Sequence, residues 1–166
     1  MKQSETLIEF LPFESRYTRD CLTLFCGNLS GYFSPDEVND YRQFLNQLES
    51  NDHYYVGFID HQVVACGGWD KQARGYFLRW GIIDQSRHKQ GLGRQLLAFR
   101  IDRIYQQNGP VDIFIKTSDK AHGFFMKFGF CVDQIFPDGI YPGIDEYQMH
   151  LPVGSFKPQN DAEIGL

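Results

Sequence analysis

Ile82-Ile83-Asp84-Gln85-Ser86-Arg87-His88-Lys89-Gln90-Gly91-Leu92-Gly93-Arg94-Gln95-Leu96-Leu97 is the stretch on which the reading of this chain turns. An apolar run gives way to a basic loop, two glycines follow, and apolar residues then return at helical spacing. A helix that begins here leaves its first N–H groups without intrahelical acceptors and carries a partial positive charge at that end, which suits a phosphate. Glycine lets the backbone approach an anion closely and take dihedrals that a Cβ forbids. Between positions 87 and 103 stand Arg87, Lys89, Arg94, Arg100 and Arg103 against Asp102 alone, so a local cationic patch is expected on a chain of formal net charge -5.

Two common phosphate motifs fail against these residues. The dinucleotide fingerprint needs a third glycine where Leu96 stands, and the phosphate loop of nucleotide hydrolases needs Gly-Lys-Ser/Thr where Gly93-Arg94-Gln95 stands.

Working outward, Tyr76 to Ile83 reads as a central strand, and Tyr54 to Ile59 with Val63 to Trp69 as a hairpin turning at Asp60-His61-Gln62. Gly67-Gly68 predicts a bulge or a close backbone approach. Further upstream, Leu7 to Leu11 predicts a strand closed by Pro12 and Thr18 to about Asn28 a helix. Ser34-Pro35-Asp36-Glu37 then opens a second helix with a capping box, burying Val38, Tyr41, Leu45 and Leu48. Downstream of the glycines, a helix from about Gly93 to Gln107 buries Leu97, Ile101, Ile104 and Tyr105 and stops at Asn108-Gly109-Pro110. Val111 to Lys116 is a strand, Ala121 to Phe128 a short helix ended by Gly129, and Phe130 to Phe136 and Glu146 to Leu151 are the last two strands. The order predicts an α/β fold in one domain over 1–153, with 154–166 a polar tail.

With 166 residues, 42% hydrophobic, the chain has material for one core and not for two. Its acidic balance argues against a nucleic-acid partner. No apolar run is long enough for a membrane span or a signal sequence, so a cytoplasmic protein is expected. Cys21, Cys26, Cys66 and Cys131 show no metal spacing and are expected to be reduced core residues. His53, His61, His88, His122 and His150 show none either, so no metal is expected.

The strand, basic loop, Gly91-Leu92-Gly93 and helix resemble the GCN5-related N-acetyltransferase family, whose signature is Arg/Gln-x-x-Gly-x-Gly/Ala between the fourth strand and the third helix. Ala121 to Phe130 is similar to the short family helix that ends in Gly-Phe, and the element order matches from about Leu7 to Leu151. The resemblance implies a mixed, mainly antiparallel twisted sheet of about seven strands flanked by helices and splayed between strands 4 and 5. It implies acetyl-CoA as co-substrate, its pantetheine arm along Gly81, Ile82 and Ile83 and its pyrophosphate on His88, Lys89, Gln90, Gly91, Leu92, Gly93 and Arg94. An amine would attack the thioester directly, its carbonyl polarised by a backbone N–H, to acetylate a primary amine of unspecified identity.

The chain departs from the family pattern at named positions. His88 takes the Arg/Gln slot, and Ser118 stands where many members carry a cofactor-binding asparagine. Phe125 occupies the place of the tyrosine that protonates the departing thiolate, and Tyr76 to Trp80 lack the frequent strand carboxylate. Tyr141 and Asp145, in an expected loop from Phe136 to Asp145, are the remaining catalytic candidates. Trp69 and Trp80 are expected in the core, and Arg79 in a strand-end salt bridge. A rival reading is a CoA-binding sensor with the same fold and little turnover; the assembly is expected to be a monomer or homodimer.

Overall fold

The computed structural model describes residues 6–29 and 33–157. In chain order the elements are β1 Glu9–Pro12, α1 Thr18–Gly27, α2 Glu37–Gln47, β2 His53–Ile59, β3 Gln62–Gln72, β4 Gly75–Ile83, α3 Leu92–Asn108, β5 Ile113–Ser118, α4 His122–Lys127, β6 Cys131–Tyr141 and β7 Ile144–Leu151. The sheet has seven strands in the order β1-β2-β3-β4-β5-β7-β6. β4 and β5 are parallel, with register at Tyr76↔Ile113 and Phe77↔Phe114, and the pairs β1–β2, β2–β3, β5–β7 and β6–β7 are antiparallel.

Contacts divide the chain into two units. In the first, Met1–Asp70 with Arg79–Arg100, the core gathers Cys21, Phe25, Tyr41, Leu45, Tyr54, Val56, Cys66 and Ile82. The start of α2 follows the expected box: the Ser34 N–H donates to the Glu37 carboxylate at 2.8 Å, while the Ser34 hydroxyl accepts from the Asp36 N–H at 3.2 Å. Tyr41 and Leu45 are buried, with Val38 and Leu48 packed at the margin. The β2–β3 hairpin turns on Asp60 and His61, both at positive φ (50° and 64°), as a two-residue primed turn requires; Gln62 already belongs to the strand. Of the two readings of Gly67-Gly68, the close approach holds: a Cβ on Gly68 would lie 1.9 Å from the His53 carbonyl oxygen. The register shift of this ladder lies elsewhere, at Gly57/Phe58.

The second unit is Lys71–Leu78 with Ile101–Leu166. Ile113, Met149 and Leu151 are buried, as are Phe125, Phe128 and Phe130 around the end of α4. The Gly109 N–H closes the end of α3 on the Tyr105 carbonyl with φ 74°. Tyr105 itself is only half-buried, so the expected stripe is narrower at its last position. At the far end, the Lys157 N–H donates to the Phe128 carbonyl at 3.0 Å, while 158–166 of the expected tail lie outside the described residues.

Two expectations need correction. Most of 136–145 is strand: β6 runs to Tyr141 and β7 begins at Ile144, with the register shifting between Phe136 and Tyr141. The turn-forming residues there do not end the ladder, because side chains supply the missing bonds: the Asp138 N–H donates to the Asp145 carboxylate at 2.9 Å and the Gly143 N–H to the Asp138 carboxylate at 2.8 Å. Of the four cysteines, all free thiols, Cys21 and Cys66 are core residues but Cys26 and Cys131 are exposed. Both exposed ones sit on the solvent side of their elements despite apolar neighbours in sequence. No described helix is long and apolar enough to cross a membrane.

Candidate active site

The glycine loop is anchored on all sides but one. Ile82, 3% exposed, ties the end of β4 into the core, and the Asp84 N–H donates to the Val64 carbonyl at 2.8 Å. The buried Asn28 amide donates to the carbonyls of Leu24 and Ile83 at 2.8 and 3.0 Å, joining α1 to the same strand end. The Asp84 carboxylate accepts from the Ser86 N–H and hydroxyl, setting a 3-10 turn at Gln85–Arg87. The His88 ring meets the Ile83 carbonyl through Nε2 at 3.1 Å, so that nitrogen carries the proton and the imidazole braces the loop.

Lys89 and Gly91 then take positive φ values of 67° and 80°, reversing the chain into α3. The Gly91 carbonyl accepts the Gln95 N–H at 3.2 Å, so the N–H groups of Leu92, Gly93 and Arg94 precede the first intrahelical bond. Leu92 and Leu96 are each 2% exposed and fix this helix start to the core. The Gln95 amide holds the chain near β1, donating to the Thr6 carbonyl at 2.7 Å and accepting from the Ile8 N–H at 2.8 Å. Lys89 and Gln90 stay exposed at the open end.

Within β4, Trp80 has φ 44°, an uncommon conformation for a bulky aromatic residue. Its carbonyl accepts from the Tyr54 hydroxyl at 2.8 Å. The Tyr54 proton being used there, the contact of the Tyr41 and Tyr54 hydroxyls at 2.8 Å is a donation from Tyr41, and Cys66 Sγ lies 3.2 Å from the Tyr41 oxygen. A relay Cys66–Tyr41–Tyr54 thus ends on the kinked carbonyl. Burial raises the pKa of both tyrosines, keeping their hydroxyls protonated. Arg79 pairs with Asp70 and lies over the Phe44 ring, 5.5 Å from its centroid, the expected salt bridge.

Arg100 corrects the reading of the cationic patch. It is 3% exposed, and burial lowers its pKa to about 10. A Cβ on Gly81 would lie 2.9 Å from Nη2, so the missing side chain there leaves room for the guanidinium. Nothing in the sequence marked Trp80.

Gly81, Ile82, Ile83 and His88 to Arg94 are brought together on one continuous strand–loop–helix segment of the first unit. The other candidates belong to the second unit. Ser118 is buried and its carbonyl accepts the Ala121 N–H at 3.1 Å; Phe125, 8% exposed, packs edge-on against Phe124 and Phe130. Tyr141 is exposed at the end of β6, and the Asp145 carboxylate is engaged by the Asp138 N–H. Among the described residues, no group of three or more His, Cys, Asp or Glu side chains could hold a metal ion.

No curated protein matches the sequence. Among solved structures, a GCN5-related N-acetyltransferase from Rhodopseudomonas palustris gives a TM-score of 0.74 at 13% identity, over 92% of this chain and 100% of that one. The ribosomal-protein-S18-alanine N-acetyltransferase from Escherichia coli gives 0.70 at 16% identity, over 89% and 94%. An aminoglycoside 6'-N-acetyltransferase complexed with coenzyme A gives 0.69 at 13% identity, over 86% and 95%. These likenesses are of fold. The model of the acetyltransferase (GNAT) domain matches residues 31–151, most of the sequence, and the chain belongs to that family.

Proposed function

We propose that the protein transfers an acetyl group from acetyl-CoA to a primary amine by direct attack of the neutral amine on the thioester. The observation that carries this reading is the start of α3: three first-turn N–H groups, two backbone reversals at Lys89 and Gly91, and a helix end braced by His88, Gln95, Leu92 and Leu96. That cradle fits a pyrophosphate held by main chain from His88 to Arg94, with Lys89 and Arg94 adding charge. The backbone at Gly81, Ile82 and Ile83 pairs with the pantetheine arm.

Acetyl-CoA supplies an activated acyl carbon and a thiol leaving group. The kink at Trp80 serves to preset a backbone donor for the thioester carbonyl, because its dihedrals are already fixed by the tyrosine relay. β4 offers no carboxylate, so the amine proton leaves through water, and Phe125 offers no proton to sulfur. The two relatives with named acceptors act on an aminoglycoside and on a ribosomal-protein alanine, so the shared fold leaves the amine open. The protein is read as cytoplasmic, a monomer or homodimer.

Gly93→Asp tests the cradle. It sets a side chain and a negative charge at the phosphate position, so acetyl-CoA affinity measured by calorimetry falls by at least about tenfold, 1.4 kcal/mol, with unchanged circular dichroism. Wild-type affinity in the folded variant would sink the reading. A second reading, a CoA-binding sensor, draws on Phe125 and the carboxylate-free β4. Tight acetyl-CoA binding with no CoA release across a panel of amines would establish it in place of turnover.

A further inference from the structure

We propose that the guanidinium of Arg100 is the electrostatic site for the coenzyme A sulfur, stabilising the thiolate that leaves when an amine attacks the thioester; this rests on the acetyltransferase reading above. Arg100 stands two turns into α3 and is 3% exposed. Among the described residues its Nε has no hydrogen-bond partner, and Nη1 reaches only the Gly68 carbonyl at 3.5 Å, the outer limit of a hydrogen bond. The titratable groups whose charge bears on it are Tyr54 on β2 and Cys66 on β3, with Tyr41 on α2 and Cys21 on α1 behind them; no carboxylate is among them. A buried guanidinium without a carboxylate is a standing penalty to the fold, and hydrophobic residues of similar volume would serve packing better. An anionic group brought against it would offset that penalty.

The position says which anion. A Cβ built on Gly81 would lie 2.9 Å from Nη2 and 3.1 Å from Nη1, and one on Gly67 would lie 3.3 Å from the Gly81 Cα. The guanidinium therefore rests directly against the backbone of Gly81, which is itself exposed. Gly81 opens the β4 segment assigned to the pantetheine arm, and that arm ends in the sulfur. On aminolysis the N–C bond forms, the C–S bond breaks with its electron pair passing to sulfur, and the ammonium proton passes to water. The sulfur then departs as a thiolate, and a fixed positive charge stabilises it without proton transfer. At a pKa of about 10, Arg100 is charged throughout the neutral range.

The test is the titration of the thiol of bound coenzyme A, followed by thiolate ultraviolet absorbance, in the wild type and in Arg100→Met, which keeps an apolar stem and removes the charge. In the wild type the bound thiol titrates about one unit or more below its ordinary value of roughly 8.5, as an opposite charge within reach imposes. In Arg100→Met the depression disappears while affinity for acetyl-CoA, whose sulfur is uncharged, is retained. Gly81→Ala, which displaces the guanidinium but keeps its charge, gives an intermediate shift and decides the matter should Arg100→Met fail to fold. Equal thiol titration in wild type and variants that bind coenzyme A would overturn this proposal alone. A wild type that binds no coenzyme A would overturn the acetyltransferase reading and this proposal with it.

Discussion

At the scale of single residues, the informative positions are those whose surroundings contradict their local propensity. Trp80 holds a left-handed φ in mid-strand, and the Tyr54 hydroxyl bonded to its carbonyl is what holds it there. Tyr54→Phe removes that donor and leaves the buried Tyr41 hydroxyl with one acceptor fewer, so a loss of about 1–3 kcal/mol in urea unfolding is expected. Because β4 then relaxes toward an ordinary strand, acetyl-CoA affinity weakens as well; unchanged affinity would show that the kink serves packing only. Phe125 gives the opposite expectation. Its ring packs edge-on against Phe124 at 5.2 Å and Phe130 at 5.4 Å, so Phe125→Tyr lowers thermal stability by burying a hydroxyl and does not accelerate CoA release. A faster release would identify protonation of the thiolate as limiting. Neither the Trp80 nor the Arg100 environment was legible in the sequence: a tryptophan in an apolar run reads as an ordinary strand residue, and Arg100 among four other cations of a helix and its loop reads as surface charge. Both owe their state to residues distant in the chain.

At the scale of elements, punctuation was legible and continuity was not. The box at Ser34 and Glu37 and the turn at Asp60-His61 depend on local chemistry, and both are present. The strands β6 and β7 run through proline, glycine and aspartate because Asp138 and Asp145 satisfy backbone donors across the hairpin, a tertiary effect that turn propensities cannot report. Glycines divide the same way. Gly68→Ala drives a Cβ to 1.9 Å from the His53 carbonyl oxygen, a backbone atom that cannot step aside, and is expected to destabilise by about 3 kcal/mol or more. Gly123 on α4 has open space around its missing Cβ, and Gly123→Ala is expected to stabilise by about 0.5–1 kcal/mol. Denaturant midpoints at constant m-value check both. A neutral or stabilising Gly68→Ala would refute the assignment of Gly68 as a close-approach site.

At the scale of the whole molecule, an acidic chain carries a basic loop at a helix start, a local contrast of charge that suits a small anion. The course of the segment from Ile82 to Leu97, strand then loop then helix, was legible because a helix start and two glycines keep their meaning whatever packs around them. Ligand linkage turns that contrast into a measurement. A ligand that binds only the folded state adds about 2.7 kcal/mol at one hundred times its dissociation constant. For a chain of this size 1 kcal/mol moves the melting temperature by roughly 2–4 °C, so saturating acetyl-CoA should raise it by about 5–11 °C. ATP shares the adenine and phosphates of acetyl-CoA, and NAD the adenine and pyrophosphate, but neither has a pantetheine arm to pair with Gly81 to Ile83. At equal concentration each should shift the transition by clearly less. An equal shift by ATP would mean that the loop alone accounts for binding and would remove β4 from the cofactor site, whereas a shift by acetyl-CoA alone requires the strand and the loop to act on one ligand.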